Sequence, residues 1–309
     1  MRYFALLLGL FSLTQVAVPA QEPQTRAVFS SRSELVALHV SVVDRRADFV
    51  SGLPREAFIV FEDGQEQKIA FFENADTPVT VGLVIDNSGS MTRTRDTVID
   101  AGITFSQASH PADEMFVVHF NERVWPGLAP PENFTTDREH LRLALQRSTA
   151  RGQTALFDAL LGGLTRLEGG RHQKKALVVI SDGGDNASRT RFEDVLARAL
   201  RMDALIYSVG LYDQYDRDAN PDLLRKLARS TGAEAFFPRR PRDVGPILDR
   251  IARELRSGYT IGYVPTISLT RPGYRRIEVE VRAPDGRKLS ARARSGYTAG
   301  PHSSGDGSK

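Results

Sequence analysis

The feature that most constrains the fold of this chain is a repeated strand-then-helix order between residues 77 and 256. Short apolar runs, typical of strands buried on both faces of a parallel sheet, occupy residues 79–85, 115–120, 176–180, 205–209 and 235–237. Helical patterns alternate with them at residues 94–108, 138–148, 155–168, 191–202, 221–230 and 244–256. This order predicts an α/β domain built on a doubly wound, mostly parallel sheet with helices on both faces.

The segments on either side of this domain, residues 30–76 and 257–298, show the two-residue alternation of half-buried strands. Asp63-Gly64 is a hairpin signal, and we expect it to join strands at residues 58–61 and 68–72. Neither segment is large enough to bury a core of its own without disulfides. We therefore predict that the two segments pair into one small β-sandwich, into which the α/β domain (residues 77–256) is inserted.

The two ends of the chain have the patterns of a processed leader and a polar tail. Residues 1–20 combine Arg2, an apolar stretch and small residues before Gln21, which predicts a cleavable signal peptide cut after Ala20. The apolar stretch is short for a membrane span, so an uncleaved anchor is the weaker alternative. We expect a secreted or periplasmic mature chain without a transmembrane helix, ending in a disordered tail at residues 299–309.

Composition excludes several classes of site and partner. The sequence contains no cysteine, which excludes disulfides and thiolate metal sites. Its formal net charge is only +3, and no basic block or basic stripe with interleaved aromatic residues supports nucleic-acid binding. A partner of another kind is therefore expected.

Three loops that leave the carboxyl edge of the predicted sheet carry oxygen donors, and ligands of doubly wound sheets bind at that edge. The first loop (residues 86–90) contributes Asp86, Ser88 and Ser90. The second (residues 152–154) contributes Thr154, and the third (residues 181–185) contributes Asp182. Carboxylate and hydroxyl oxygens suit Mg²⁺, with Mn²⁺ or Ca²⁺ as substitutes. Taken alone, the first loop would be interpreted as an ordinary turn or helix N-cap, because Asp and Ser are common in both.

The segment Asp86-Asn87-Ser88-Gly89-Ser90 resembles the DxSxS signature of the von Willebrand factor A (VWFA) domain family. Thr154 and Asp182 lie where the other two metal-binding loops of that family fall, and the stretches TALFDAL, VVISDGGDN, IYSVG and LARSTGAEAF are similar to it as well. The likeness covers residues 79–256. Flanking stretches at residues 62–64, 257–263 and 294–297 resemble a secreted bacterial subfamily in which the domain lies between short β segments.

The resemblance implies a Rossmann-like fold with a metal-ion-dependent adhesion site (MIDAS). In such a site the hydroxyls of Ser88, Ser90 and Thr154 bind Mg²⁺ directly, and Asp86 and Asp182 act largely through water. Neutral ligands leave the cation poorly neutralised, with one position open for an Asp or Glu carboxylate of a protein partner. The resemblance therefore implies a non-enzymatic, Mg²⁺-dependent adhesion or interaction module.

Four further residues are weaker candidates. Asp158 would support the site through hydrogen bonds or simply favour the start of a helix, and Asp185 would line the rim or serve as a turn residue. His119 lies inside a predicted strand, where packing is the simplest role. His172 precedes the strand at residues 176–180 and so lies at the opposite edge of the sheet.

Two other functions stay open at this point. A metal-assisted hydrolase would use the ion to activate water, or a base to activate a serine. No GxSxG motif surrounds Ser88 or Ser90, and phosphatases with an Asp nucleophile want a second carboxylate where this loop has Ser88. In a structural component of the cell envelope, the ion would only stabilise the fold.

Overall fold

The computed structural model describes residues 35–74, 76–147, 150–212 and 218–300. The predicted signal peptide and the tail beyond residue 300 lie outside these residues. Ala299 was predicted to begin the tail, but it instead ends a strand, because it pairs with Gly273. Within the described ranges, no helix is both long and apolar enough to cross a membrane.

Four strands precede the α/β domain: β1 (Val36–Val43), β2 (Phe58–Glu62), β3 (Gln65–Gln67) and β4 (Ile69–Asn74). The turn after β2 forms as predicted, since Asp63 and Gly64 have φ angles of 49° and 82°, as a type I′ turn requires. This two-residue turn brings Gln65 opposite Glu62. The hairpin partner of β2 is therefore β3, and the expectation that residues 68–72 fill that place was wrong.

The α/β domain follows the predicted order. Its elements are β5 (Thr80–Asp86), α1 (Arg95–Ala108), β6 (Glu114–Phe120), β7 (Val124–Pro126), α2 (Arg138–Gln146), α3 (Leu156–Glu168), β8 (Lys175–Ser181), α4 (Phe192–Arg201), β9 (Leu205–Gly210), α5 (Pro221–Thr231), β10 (Ala235–Phe236) and α6 (Val244–Ser257). The strands lie in the order β10-β9-β8-β5-β6-β7, and all pairs are parallel except β6 with β7. The doubly wound, mostly parallel sheet is thus confirmed, with β7 as an unpredicted antiparallel edge.

The central strand of this sheet is β5, which lies between β8 and β6 and is buried along its whole length. Gly82 is required in it, because a Cβ atom there would lie only 2.3 Å from Cζ of Phe116 on β6. The close packing of β5 on both faces of the sheet holds the strand, and with it its last residue, in a fixed position. Its last residue is Asp86, at the carboxyl edge of the sheet.

Four strands follow α6: β11 (Tyr259–Tyr263), β12 (Gly273–Arg282), β13 (Lys288–Arg292) and β14 (Gly296–Ala299). They join the N-terminal strands in one antiparallel sheet of order β3-β2-β12-β13-β1-β11-β4, with β14 added on β12. One residue, Lys68, separates β3 from β4 at the two ends of this order, so the sheet is nearly closed. The prediction that the terminal segments pair with each other around a shared core is confirmed, with the strands in one nearly closed sheet instead of the two packed sheets of a sandwich.

A buried carboxylate organises this second sheet. Glu62 is 3% exposed and accepts hydrogen bonds from the hydroxyls of Tyr263 (2.7 Å) and Tyr297 (2.8 Å). It also pairs with the buried guanidinium of Arg275 at 2.9 Å, and a buried charge requires partners of this kind. Residues from three sequence stretches that resemble the bacterial subfamily therefore meet at one side chain.

Glu254 on α6 joins the two sheets. Its buried carboxylate accepts hydrogen bonds from Tyr207 of β9 (2.8 Å) and Ser41 of β1 (2.7 Å), and it pairs with Arg292 of β13. Two of these partners belong to the second sheet and one to the α/β sheet. The terminal segments are thus tied to the inserted domain through a polar contact.

We expect Glu254→Ala to lower the free energy of unfolding by about 3 kcal/mol, because it leaves the buried Tyr207 hydroxyl and the Arg292 guanidinium without this partner. Urea unfolding followed by circular dichroism measures the change. Glu193→Ala on the exposed face of α4 is the matched control and should stay within about 0.5 kcal/mol of wild type. Equal stability of the two variants would contradict the role assigned to Glu254.

Candidate functional site

Two of the five predicted ligands lie where adjacent parallel strands end. Asp86 is the last residue of β5, and Asp182 directly follows Ser181, the last residue of β8. The parallel register pairs Ile85 with Ile180, so Asp86 lies level with Ser181 and Asp182 follows one residue later on the neighbouring strand. Asp86 and Asp182 are 2% and 3% exposed. The sheet thus buries two acidic side chains side by side at its carboxyl edge.

Both oxygens of Asp86 accept hydrogen bonds. The backbone N–H of Ser88 donates to Oδ1 at 2.8 Å, and the hydroxyl of Ser181 donates to Oδ2 at 2.6 Å. Ser181 is itself fixed, since its oxygen accepts the N–H of Gly183 at 3.0 Å. The carboxylate is therefore held in one orientation by the first and third loops together.

The serines of the first loop reach the third loop directly. The hydroxyl oxygens of Ser88 and Ser90 are 3.0 Å apart, and Ser90 donates to Oδ2 of Asp182 at 2.6 Å. Ser88 is 2% exposed, whereas Ser90 is exposed. The cluster therefore opens to solvent on the side of Ser90 and is closed beneath Ser88.

Thr154 lies in the second loop, which is bonded to the first loop through the backbone. The N–H of Arg151 donates to the Asn87 carbonyl at 2.8 Å, and the N–H of Gly89 donates to the Gly152 carbonyl at 3.1 Å. Thr154 itself is 6% exposed. These bonds bring the second loop to the same edge as the other two.

Asn186 fixes the backbone of Thr154 from the third loop. Its side-chain oxygen accepts the N–H of Thr154 at 2.9 Å, and its own N–H donates to the Thr154 carbonyl at 3.0 Å. From the sequence alone, Asn186, like its neighbour Asp185, would line the rim or serve as a turn residue. Its contact with Thr154, 32 positions earlier in the chain, depends on how the third loop folds over the start of α3.

Asp158 and Asp185 do not join the cluster of donors; both connect the start of α3 to the third loop. The carboxylate of Asp158 accepts the N–H groups of Arg189 and Thr190. Asp185 accepts the N–H of Phe157 at 3.3 Å and the hydroxyl of Ser188 at 2.6 Å. These two residues therefore satisfy free N–H groups of the loop and of the first helical turn.

Burial raises the pKa of Asp86 to about 6, and the charge of Asp182 acts in the same direction, although hydrogen bonds from Ser181 and Ser88 oppose the shift. Two carboxylates that share a buried place repel each other when both are ionised. A bound cation would relieve this repulsion.

The donors at this edge suit a hard divalent cation. They comprise two carboxylates and three hydroxyls, which are the ligand types preferred by Mg²⁺. In the part of the chain that the structure describes, no group of three or more His, Cys, Asp or Glu side chains is arranged to hold a metal. The hydroxyl donors at this edge are Ser88, Ser90 and Thr154.

His172 lies away from this edge, as the sequence indicates, since it precedes β8 and its Nε2 lies 3.0 Å from the Ala112 carbonyl. His119 is fully buried on β6, and sequence reasoning gave it a packing role. Its Nδ1 lies 3.0 Å from the side-chain nitrogen of Asn87, and Asn87 lies in the sequence between the predicted ligands Asp86 and Ser88. The sequence signal for this contact was weak, because a single histidine in an apolar strand resembles any core residue.

Comparison with protein families identifies one match. The family model described as von Willebrand factor type A domain matches residues 81–184. These residues begin in β5 and end in the third loop. No curated protein matches the chain.

Solved structures of low sequence identity share the fold. A structure described as von Willebrand factor type A from Catenulispora acidiphila has 14% identity and a TM-score of 0.51, covering 86% of this chain and 72% of its own. Proximal thread matrix protein 1 from the mussel byssus has 15% identity and a TM-score of 0.50, covering 61% and 48%. The first match extends beyond the α/β domain into the terminal segments.

We expect Asp86→Asn to stabilise the metal-free protein at pH 7.5 by about 1–3 kcal/mol, because it removes a buried charge whose pKa is raised. Burial makes the folded state favour protonated Asp86 more strongly than the unfolded chain does, since the pKa rises from 3.8 to about 6. The wild type therefore loses stability as pH rises from about 4 to above 6, and the variant does not lose this contribution. Urea unfolding in EDTA from pH 4 to pH 8 measures the difference. A variant that is less stable than wild type at every pH would contradict the assigned burial cost.

Proposed function

We propose that this protein is a secreted, non-enzymatic, Mg²⁺-dependent protein-binding module. Its residues 81–184 match the family model of the von Willebrand factor type A domain. In this proposal the residues of the metal site are Asp86, Ser88, Ser90, Thr154 and Asp182. The hydrogen-bonded contact of Ser88, Ser90 and Asp182 at the carboxyl edge of the sheet is the observation that carries the proposal. The site captures an Asp or Glu side chain of the partner.

The five residues divide into two roles. Ser88, Ser90 and Thr154 offer neutral hydroxyls, which would hold the ion directly. Asp86 and Asp182 would act largely through water, and the bonds from Ser181 and the Ser88 N–H already orient Asp86 for this. A bound Mg²⁺ supplies a positive charge that neutral ligands leave uncompensated, with a free coordination position for a carboxylate.

Access to the site supports capture of a partner from one direction. Gly89 and Ser90 of the first loop are exposed, and so are Gly152 and Gln153 of the second. Gly89 presents backbone at this surface, whereas the Glu122 carboxylate packs against Gly152 and accepts the N–H of Gln153 at 3.2 Å. A partner side chain can therefore approach over Ser90, while the strands close the site from below.

Hydrolysis is less well supported by the contacts of the serines. The Ser90 hydroxyl donates to the Asp182 carboxylate and contacts the Ser88 hydroxyl, and neither of these partners is a histidine. The nearby His119 is committed on both ring nitrogens, to Asn87 and to the Ala144 carbonyl. Nucleophilic catalysis by serine needs a base in contact with the hydroxyl.

We also propose an extracellular or periplasmic location. The pattern of residues 1–20 supports it, because a charged start, an apolar core and small residues before Gln21 are typical of a secretory signal. The absence of cysteine from the sequence means that stability outside the cytoplasm would come from packing and polar contacts instead of disulfides.

We expect the protein to capture a partner from a cell-envelope extract in Mg²⁺ and to lose it completely in EDTA, because the ion bridges the two proteins. Asp86→Ala should abolish capture in Mg²⁺ as well. Asp100→Ala, on the exposed face of α1, is the matched control and should bind like wild type. Mass spectrometry of the retained proteins and calorimetric titration with Mg²⁺ measure the two steps separately.

Each result has a distinct meaning. Capture that persists in EDTA would overturn the metal-bridge proposal. Mg²⁺ that raises the melting temperature without any captured partner would favour a structural role for the ion. Turnover of a phosphate or ester substrate that is lost in Asp86→Ala would favour a hydrolase.

A further inference from the structure

His119 lies at the centre of a buried polar connection beneath the first loop. It belongs to β6, is 0% exposed, and pairs in register with Ile85 on β5. Asn87, between the proposed ligands Asp86 and Ser88, is 2% exposed. The side-chain nitrogen of Asn87 donates to the Ile85 carbonyl at 2.9 Å and lies 3.0 Å from Nδ1 of His119.

The partners of the imidazole define its protonation. Asn87 presents an amide N–H to Nδ1, so Nδ1 accepts, and the Ala144 carbonyl lies 2.8 Å from Nε2, so Nε2 donates. Burial lowers the pKa of His119 to about 4, which keeps the ring neutral at physiological pH. The neutral ring thus connects a donor on one side to an acceptor on the other.

The connection reaches α2 on one side and the second loop on the other. Ala144 lies in the last turn of α2, so the His119 ring joins β6 to that helix. Arg151 donates its N–H to the Asn87 carbonyl, and the Asn87 N–H donates to the Phe120 carbonyl at 2.7 Å. Asn87 is therefore fixed through its side chain, its N–H and its carbonyl.

Trp125, on the edge strand β7, packs against the imidazole ring of His119. Its ring on β7 stacks on His119 with centroids 5.8 Å apart and an angle of 25° between the planes. The imidazole therefore has little freedom to rotate, and both of its hydrogen bonds keep their direction.

We propose that His119 is a positioning residue of the metal site, which orients the Asp86–Ser88 segment through Asn87 and, through the bond between the Asn87 carbonyl and the Arg151 N–H, restrains the second loop. This inference rests on the proposed metal site and adds to it a residue that touches none of the ligands. Residues that orient ligands typically change metal affinity 10- to 100-fold when they are replaced.

The test compares His119→Phe with the control variant His39→Phe. His39 lies on β1, in the other sheet. Phenylalanine keeps a ring beside Trp125 but removes both hydrogen bonds. Titration calorimetry with Mg²⁺ alone measures the dissociation constant, and urea unfolding in EDTA measures stability. We expect about a 10- to 100-fold weaker Mg²⁺ affinity for His119→Phe. His39→Phe should lower stability and leave the Mg²⁺ affinity within about twofold of wild type.

A second variant keeps the test open if His119→Phe fails to fold. Asn87→Ala breaks the same connection from the loop and leaves the bond between His119 and Ala144 in place. It should weaken Mg²⁺ binding by a similar factor. Because the two residues act as one unit, the double variant should bind Mg²⁺ no more weakly than the weaker single variant.

Three outcomes would overturn this inference. An unchanged Mg²⁺ affinity in folded His119→Phe or Asn87→Ala, beside normal binding by wild type, would overturn it and leave the proposed function intact. Additive losses in the double variant would show that the two residues do not act as a unit. Wild-type protein that binds no Mg²⁺ would overturn the proposed function, and this inference with it.

Discussion

The burial of two carboxylates at one edge of a parallel sheet is the constraint on which the site depends. Asp86 and Asp182 follow neighbouring strands, and burial raises the pKa of Asp86 to about 6 while Asp182 adds to the shift. An ordinary turn does not require two buried carboxylates, whose burial in the ionised form lowers the stability of the fold. Hydroxyls of Ser88, Ser90 and Ser181 surround the two acids. A divalent cation would attract both carboxylates and so outweigh their mutual repulsion.

The rest of the molecule holds this edge in place. The β5 strand is buried along its length, and Asn87, Asn186 and His119 tie the three loops to one another and to the sheet. Farther away, Glu254 connects α6 to the nearly closed second sheet, whose own core is organised around Glu62. Under the proposed function, rigid support of this kind would keep the ligands near the geometry that a metal requires, and a partner would approach over the exposed Ser90.

Periodicity allowed most of this fold to be predicted, and loop position allowed the candidate ligands to be predicted, because strands of one parallel sheet end at one edge. Contacts between distant loops could not be predicted in this way. Asn186 and Asp185 resemble turn residues in the sequence, and only the packing of the third loop on α3 brings them to Thr154 and Phe157. His119 resembles a core residue because the strand around it is apolar. The β7 and β3 strands have only three residues each, which is too few to show the alternation of apolar and polar side chains that predicts a strand.

The three loops are proposed to form one cation site with an open position. Anomalous diffraction from crystals grown with Mn²⁺ can locate such a site, since Mn²⁺ substitutes for Mg²⁺ at oxygen ligands. We expect a single strong peak bounded by the hydroxyls of Ser88, Ser90 and Thr154, and no such peak in Asp86→Ala. A peak elsewhere on the molecule, or none at this edge at saturating Mn²⁺, would contradict the proposed site.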